Sequence, residues 1–85
     1  MPDPYNAAGA VLDPALLDRE LARRGLRQKD LARLSGLTEA LLSRARHGRP
    51  VRPRTLARIA AVLAAQPVLE GVDLVLAAPA AGTSR

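Results

Sequence analysis

The sequence predicts an all-α fold, a compact four- to five-helix bundle, from three observations. Leu and Ala recur throughout the 85 residues, while the chain has one aromatic residue, Tyr5, and no Cys. Its core must therefore be aliphatic, without disulfides or Cys-bound zinc. Apolar residues recur at helical spacing, most clearly at Leu56, Ile59, Ala60 and Leu63, the i, i+3, i+4, i+7 pattern of one buried stripe. Finally, capping residues and glycines punctuate the chain at intervals that suit short helices: Asp13, Gly25, Gly36, Thr38 and Gly48.

Residues 1–11, with two Pro, a Gly and no periodicity, read as a flexible arm. A domain over 12–66 follows. Asp13 caps a first helix, about 14–24, whose Pro14 occupies the position where a missing N–H costs nothing. Leu12 and Leu17 have the spacing of a hydrophobic staple, Leu17 and Leu21 form the buried stripe, and Gly25 ends the helix. A short second helix, about 28–34, buries Leu31 and Ala32. Arg27 stands where Ser, Thr or Asn would normally cap it, a loss of about 1 kcal/mol unless another group accepts those amides. Gly36 turns the chain sharply. Thr38 opens a third helix, 38–47, with Leu37 and Leu42 repeating the staple, and Gly48 closes it. After a basic loop, Pro53 starts a fourth helix over 53–65, stopped by Pro67. Residues 67–77 form a short last element. Its Leu69, Val72, Val75 and Leu76 favour a fifth helix, although the valines also suit a strand. Residues 78–85 read as a disordered tail.

The net charge of +5 is unevenly placed. Residues 19–58 contain twelve of the thirteen Lys and Arg but only Glu20, Asp30 and Glu39 as acids, a local excess of nine positive charges. Such a stretch suits either a polyanion, whose counterions it would release, or a solvated Arg-rich surface. The start of the chain has Asp3 and no basic residue before Ala10, unlike a signal peptide. No run approaches the roughly 18 apolar residues of a membrane span. These features predict a cytoplasmic, nucleoid-associated protein that engages no membrane.

On the third helix, at about 100° per residue, Thr38, Leu42 and Ala45 share one face. Glu39, Ala40, Ser43, Arg44 and His47 share the other. Residues 25–48 resemble the helix-turn-helix of the Xre, or phage-repressor (lambda-repressor-like), DNA-binding family. The resemblance covers about residues 13–66 and rests on an ordered set: Gln28, Leu31 with Ala32, Gly36, Leu37 with Thr38, Leu42-Ser43-Arg44, and Gly48 before a basic Pro-containing loop. It implies that the third helix reads double-stranded DNA in the major groove, whose base pairs each show a distinct donor and acceptor pattern.

Under that resemblance the candidate base-reading residues are Glu39, Ala40, Ser43, Arg44 and His47. Arg44 can fork onto guanine O6 and N7, or hold a phosphate. Ser43 suits several base edges or a phosphate. Glu39 can accept from the cytosine amino group or simply complement the helix dipole. Ala40 offers contact to a thymine methyl, and His47, which has no second metal-ligating neighbour, suits a phosphate or plain exposure. The candidate backbone contacts are Arg27, Gln28, Lys29, Thr38, Arg49, Arg52 and Arg54. A phosphate at the start of the second helix would satisfy the amides that Arg27 leaves uncapped. The chain departs from the family pattern at Leu41 and at Arg46. The family often has Glu in place of Arg46, paired with a basic side chain where Leu21 stands here. This exchange predicts an apolar contact and a free Arg46, since replacing a buried ion pair is often near neutral.

The functional expectation is a sequence-specific regulator of transcription, a repressor binding a palindromic operator as a homodimer through residues 68–76 and the end of the fourth helix. The alternative is an antitoxin or a recombination accessory factor whose main partner is another protein. Nothing in the sequence predicts a cofactor, a metal or a small-molecule ligand. An enzyme is not expected, because the single His lacks a catalytic partner and no phosphate-binding loop is present.

Overall fold

A computed structural model describes residues 9–76 of the chain. Four α-helices form the fold: α1 Pro14–Arg23, α2 Gln28–Ser35, α3 Glu39–Arg46 and α4 Pro53–Ala65. The architecture is all-α, with no strand among the described residues beyond an isolated bridge.

The helix ends follow from local chemistry. Asp13 Oδ1 accepts from the amides of Ala15 at 2.9 Å and Leu16 at 3.2 Å, using two of the donors that a helix start leaves unpaired. Gly25 adopts φ +68°, and the Gly25 and Leu26 amides donate back to Ala22 and Leu21. This glycine-closed pair of hydrogen bonds satisfies carbonyls of the last turn of α1 and returns the chain towards the core. Gly36, at φ +77°, turns the chain between α2 and α3. Thr38 Oγ1 then accepts from the Leu41 amide at 3.1 Å to begin α3. The third-helix boundary falls one residue inside the expectation at each end, with Thr38 and His47 as its caps. Thr38 is exposed, so it belongs to the cap and not to the apolar face assigned from periodicity.

One aliphatic core holds the helices together, formed by Leu17 and Leu21 of α1, Leu31 and Ala32 of α2, Leu42 of α3, and Ile59 and Val62 of α4. Leu12 and Leu37, the staple residues, pack against its edge with Leu26 and Leu63. Helix α2 packs on both α3 and α4. The buried stripe of α4 differs from the expected one, because Val62 is buried while Ala60 is exposed. At about 100° per residue Val62 lies to one side of Ile59, with Leu56 and Leu63 to the other, which centres the buried arc on Ile59. Ala60, about 100° away, is thereby left at its edge.

The ends of the described chain correct two further expectations. Ala10 is pinned: its amide donates to the Val51 carbonyl at 2.9 Å, and the Val51 amide donates back at 2.8 Å. A Cβ on Gly9 would stand 2.5 Å from that Val51 oxygen, so only glycine fits this approach. The last residues of the expected arm are therefore part of the fold, and residues 1–8 lie outside the described residues. The expected fifth helix is a single 3₁₀ turn, Val72–Leu74, following Gly71 at φ +81°. That left-handed residue interrupts helical continuation. The 78–85 tail lies outside the described residues.

The turn is tied to α1 by polar bonds. Leu69 donates its amide to the Arg23 carbonyl at 2.8 Å, and Asp73 accepts from Arg23 at 2.9 and 3.2 Å, with Arg19 3.5 Å away. Arg24 joins α1 to α4, donating Nε to the Leu63 carbonyl at 2.8 Å and Nη1 to Glu20 Oε1 at 2.7 Å. Three of the basic residues of the 19–58 stretch are thus committed to structure. The Arg24 hydrogen bond, with Arg23 beside it, holds the Glu20 carboxyl below the usual range, and Arg23 does the same for Asp73. Since both folded values are lowered, their stabilisation is fully present above the unfolded values near 4 and is lost as pH falls through the folded ones. A melting temperature constant near neutrality and falling below about pH 4 is the expected result. Asp73→Asn should reduce the size of that fall in a pH series of thermal melts.

Candidate nucleic-acid interface

Helix α3 stands on the core through Leu42, which is 0% exposed, and Ala45, 1% exposed. With that face buried, Glu39, Ala40 and Arg44 are exposed, His47 is exposed at the end of the helix, and Ser43 is half-buried. His47 Nδ1 lies 2.7 Å from the Ser43 carbonyl. A carbonyl only accepts, so Nδ1 carries the proton in this bond and Nε2 is left for other partners.

Three of these five residues line two separate clefts. Ser43 and His47 line an open cleft of about 180 Å³ together with Pro14, Gln28 and Arg46. Arg44 lines another, of about 210 Å³, with Leu41 and the loop residues Arg49, Val51 and Arg52. Three arginines therefore share the lining of this cleft with apolar Leu41, Ala45 and Val51. Leu41 belongs to this lining, which accounts for an apolar residue at that point of the helix. Val51 is buried and fixed by its bridge to Ala10, so the loop that carries Arg49 and Arg52 is anchored at its middle. Arg54 is exposed on the first turn of α4, outside that cleft.

On the other flank, α2 begins with exposed Arg27 and Lys29 and half-buried Gln28. Asp30 supplies half of a capping box, its Oδ2 accepting from the Arg27 amide at 2.9 Å. No reciprocal bond from the Arg27 side chain exists, because a guanidinium has no acceptor. The amides of Gln28 and Lys29 have no partner among the described residues. They present two donors at the positive end of a helix dipole, a suitable seat for an anion. The Arg27 amide bond is the largest influence holding the Asp30 carboxyl below its ordinary range.

Arg46 corrects the reading of the sequence. It is not free: Nη2 lies 2.7 Å from both carboxylate oxygens of Asp18, and Nη1 donates to Gln28 Oε1 at 2.6 Å. Leu21 is buried, as expected. The ion pair between α1 and α3 is nevertheless present with its polarity reversed, its acid lying one turn before Leu21. Neither Asp18 nor its link to Arg46 could be read from spacing, since 28 residues separate the partners.

Among the described residues no group of acids, His or Cys is placed to hold a metal, and no helix is long and apolar enough to cross a membrane. In comparisons with known proteins, residues 17–68 match the family of Cro/C1-type helix-turn-helix DNA-binding domains. The curated proteins and the solved structures gave no match. The matched stretch runs from the middle of α1 past the end of α4 and covers more than half of the chain. With the turn at Gly36 joining α2 to an outward-facing α3, the chain belongs to the Cro/C1-type helix-turn-helix DNA-binding family.

Proposed function

We propose that this protein is a sequence-specific regulator of transcription, a repressor that binds a palindromic double-stranded operator as a homodimer, with α3 in the major groove. The observation that carries the proposal is the exposed face of α3, flanked on one side by the open amides of α2 and on the other by the arginines of the following loop. Glu39, Ala40, Ser43, Arg44 and His47 read bases in this proposal. Arg27, Gln28, Lys29, Thr38, Arg49, Arg52 and Arg54 hold phosphates, fixing register without reading sequence. The protein acts as a binding module, not an enzyme, and works at the nucleoid in the cytoplasm.

The proposed dimer surface is the segment 68–76 with the end of α4. Leu74 is 89% exposed and Val75 86% exposed, and adjacent apolar residues left uncovered by the described residues favour a partner. Two-fold pairing there would place two copies of α3 on half-sites about one helical turn apart. The same apolar residues would also serve the second reading, in which the main partner is a different protein, as for an antitoxin or an accessory factor.

Selection from a random duplex pool, with the mass of the complex measured in solution, tests the proposal. A palindromic site bound by two copies is expected. One copy on an asymmetric site would overturn the dimer, and no enrichment of any sequence would overturn specific recognition. Arg54→Ala should weaken binding to all duplexes alike and reduce the slope of log affinity against log salt by about 0.9, the value for one phosphate contact. A change confined to one sequence would instead place Arg54 at a base.

A further inference from the structure

The geometry points to Arg46 as a positioning residue, held by Asp18, that orients the Gln28 side-chain amide so that its NH2 group faces a DNA phosphate. The inference rests on the proposed backbone contact of Gln28 and adds what makes that contact directional.

A glutamine amide has two faces, an acceptor oxygen and a donor NH2, and rotation by half a turn exchanges them. Only the donor suits a phosphate, which offers acceptors alone. Arg46 removes the ambiguity. Its guanidinium can only donate, and Nη1 lies 2.6 Å from Gln28 Oε1, so the oxygen is fixed towards α3 and the NH2 is directed away from Arg46. That NH2 lies 3.4 Å from the Glu39 carbonyl, near the outer limit of a hydrogen bond, and is weakly held there. It belongs to the same helix start as the open amides of Gln28 and Lys29. An anion at this helix start would meet the two open amides and would draw the NH2 from its weak bond to the Glu39 carbonyl.

Asp18 in turn fixes the guanidinium, with Nη2 2.7 Å from both of its oxygens. Arg46 Nε is buried without a partner among the described residues, so its terminal nitrogens set the orientation of the group. The side chains of Asp18 and Arg46 are 51% and 31% exposed, and ion pairs so open to water stabilise a fold little. The chain of contacts runs from α1 through α3 to α2. Its consequence is the direction of one amide, more than the persistence of the fold.

A double-mutant cycle in DNA binding tests this. Gln28→Ala and Arg46→Met are each expected to weaken binding by roughly 10- to 100-fold, the size of one lost hydrogen bond to a charged group. The double variant should bind no worse than Gln28→Ala alone, because Arg46 acts through Gln28. The salt slope of Arg46→Met should equal that of the wild type, whereas direct contact of Arg46 with a phosphate would lower it by about 0.9. Asp18→Asn should also weaken binding and, like Arg46→Met, shift the Gln28 side-chain NH2 resonances in the free protein. This NMR readout on Asp18→Asn decides the matter if Arg46→Met fails to fold. Multiplied losses in the double variant, a flattened slope, unshifted NH2 resonances, or wild-type binding by Arg46→Met would each overturn the positioning role while leaving the Gln28 contact standing. Wild-type binding by Gln28→Ala would remove the contact itself and the inference with it.

Discussion

Leu42→Ala is expected to destabilise the domain by about 2 to 5 kcal/mol, through lost transfer energy and the cavity left behind. Leu42 has no exposed surface and belongs to the cluster joining all four helices. Against a total stability of roughly 5 to 15 kcal/mol for a small domain, that is a large fraction. Chemical denaturation should report the change directly, and thermal melting should show a fall of roughly 10 to 30 °C. Leu34→Ala provides the control, since Leu34 is exposed on α2 and should change stability by no more than about 1 kcal/mol. Equal effects at the two positions would contradict the placement of α3 on its core. Leu42 also supports the helix from beneath its outward face, so the variant should lose DNA affinity at temperatures where it is still folded.

Arg44→Ala should relax preference at one base pair of the selected site, with discrimination there falling by about 1 to 3 kcal/mol. The side chain is exposed on α3 and shares a cleft with Arg49 and Arg52. In the proposed complex Arg49 and Arg52 hold the backbone, leaving Arg44 as the member of the three carried by α3. Binding measured against a panel of single-base variants of the operator separates the possible outcomes. Loss at one position supports bidentate readout of guanine, whereas equal loss at every position would make Arg44 a phosphate contact.

Much of the fold was legible because helix ends are specified by residues only a few positions apart. Asp13 with Pro14, Thr38, and the glycines at 25 and 36 carry their own hydrogen-bonding or conformational reason, and each helix boundary falls within a residue of that reading. The outward face of α3 was legible for the same reason, since burial of Leu42 and Ala45 leaves its opposite side free. Features set by distant partners were not legible. Ala60 and Val62 are equally plausible core residues until the neighbours of α4 are placed around it. Arg24 reads as one more surface cation, yet it holds carbonyls at the end of α4. Arg46 differs from the family pattern, but its meaning depends on Asp18, and an isolated Asp on α1 signals nothing by spacing. The apolar character of 68–76 suggested a helix, whereas Gly71 and the pairing of Asp73 with α1 favour a single turn.

The bridge between Ala10 and Val51 sets where foreign sequence can be attached. A purification tag or reporter joined before Gly9 leaves the domain beside the loop that carries Arg49 and Arg52. An acidic tag at that exit would compete with phosphate, and a bulky fusion would obstruct the approach of a duplex. A donor fluorophore meant to report the arrival of DNA therefore belongs at this amino-terminal exit.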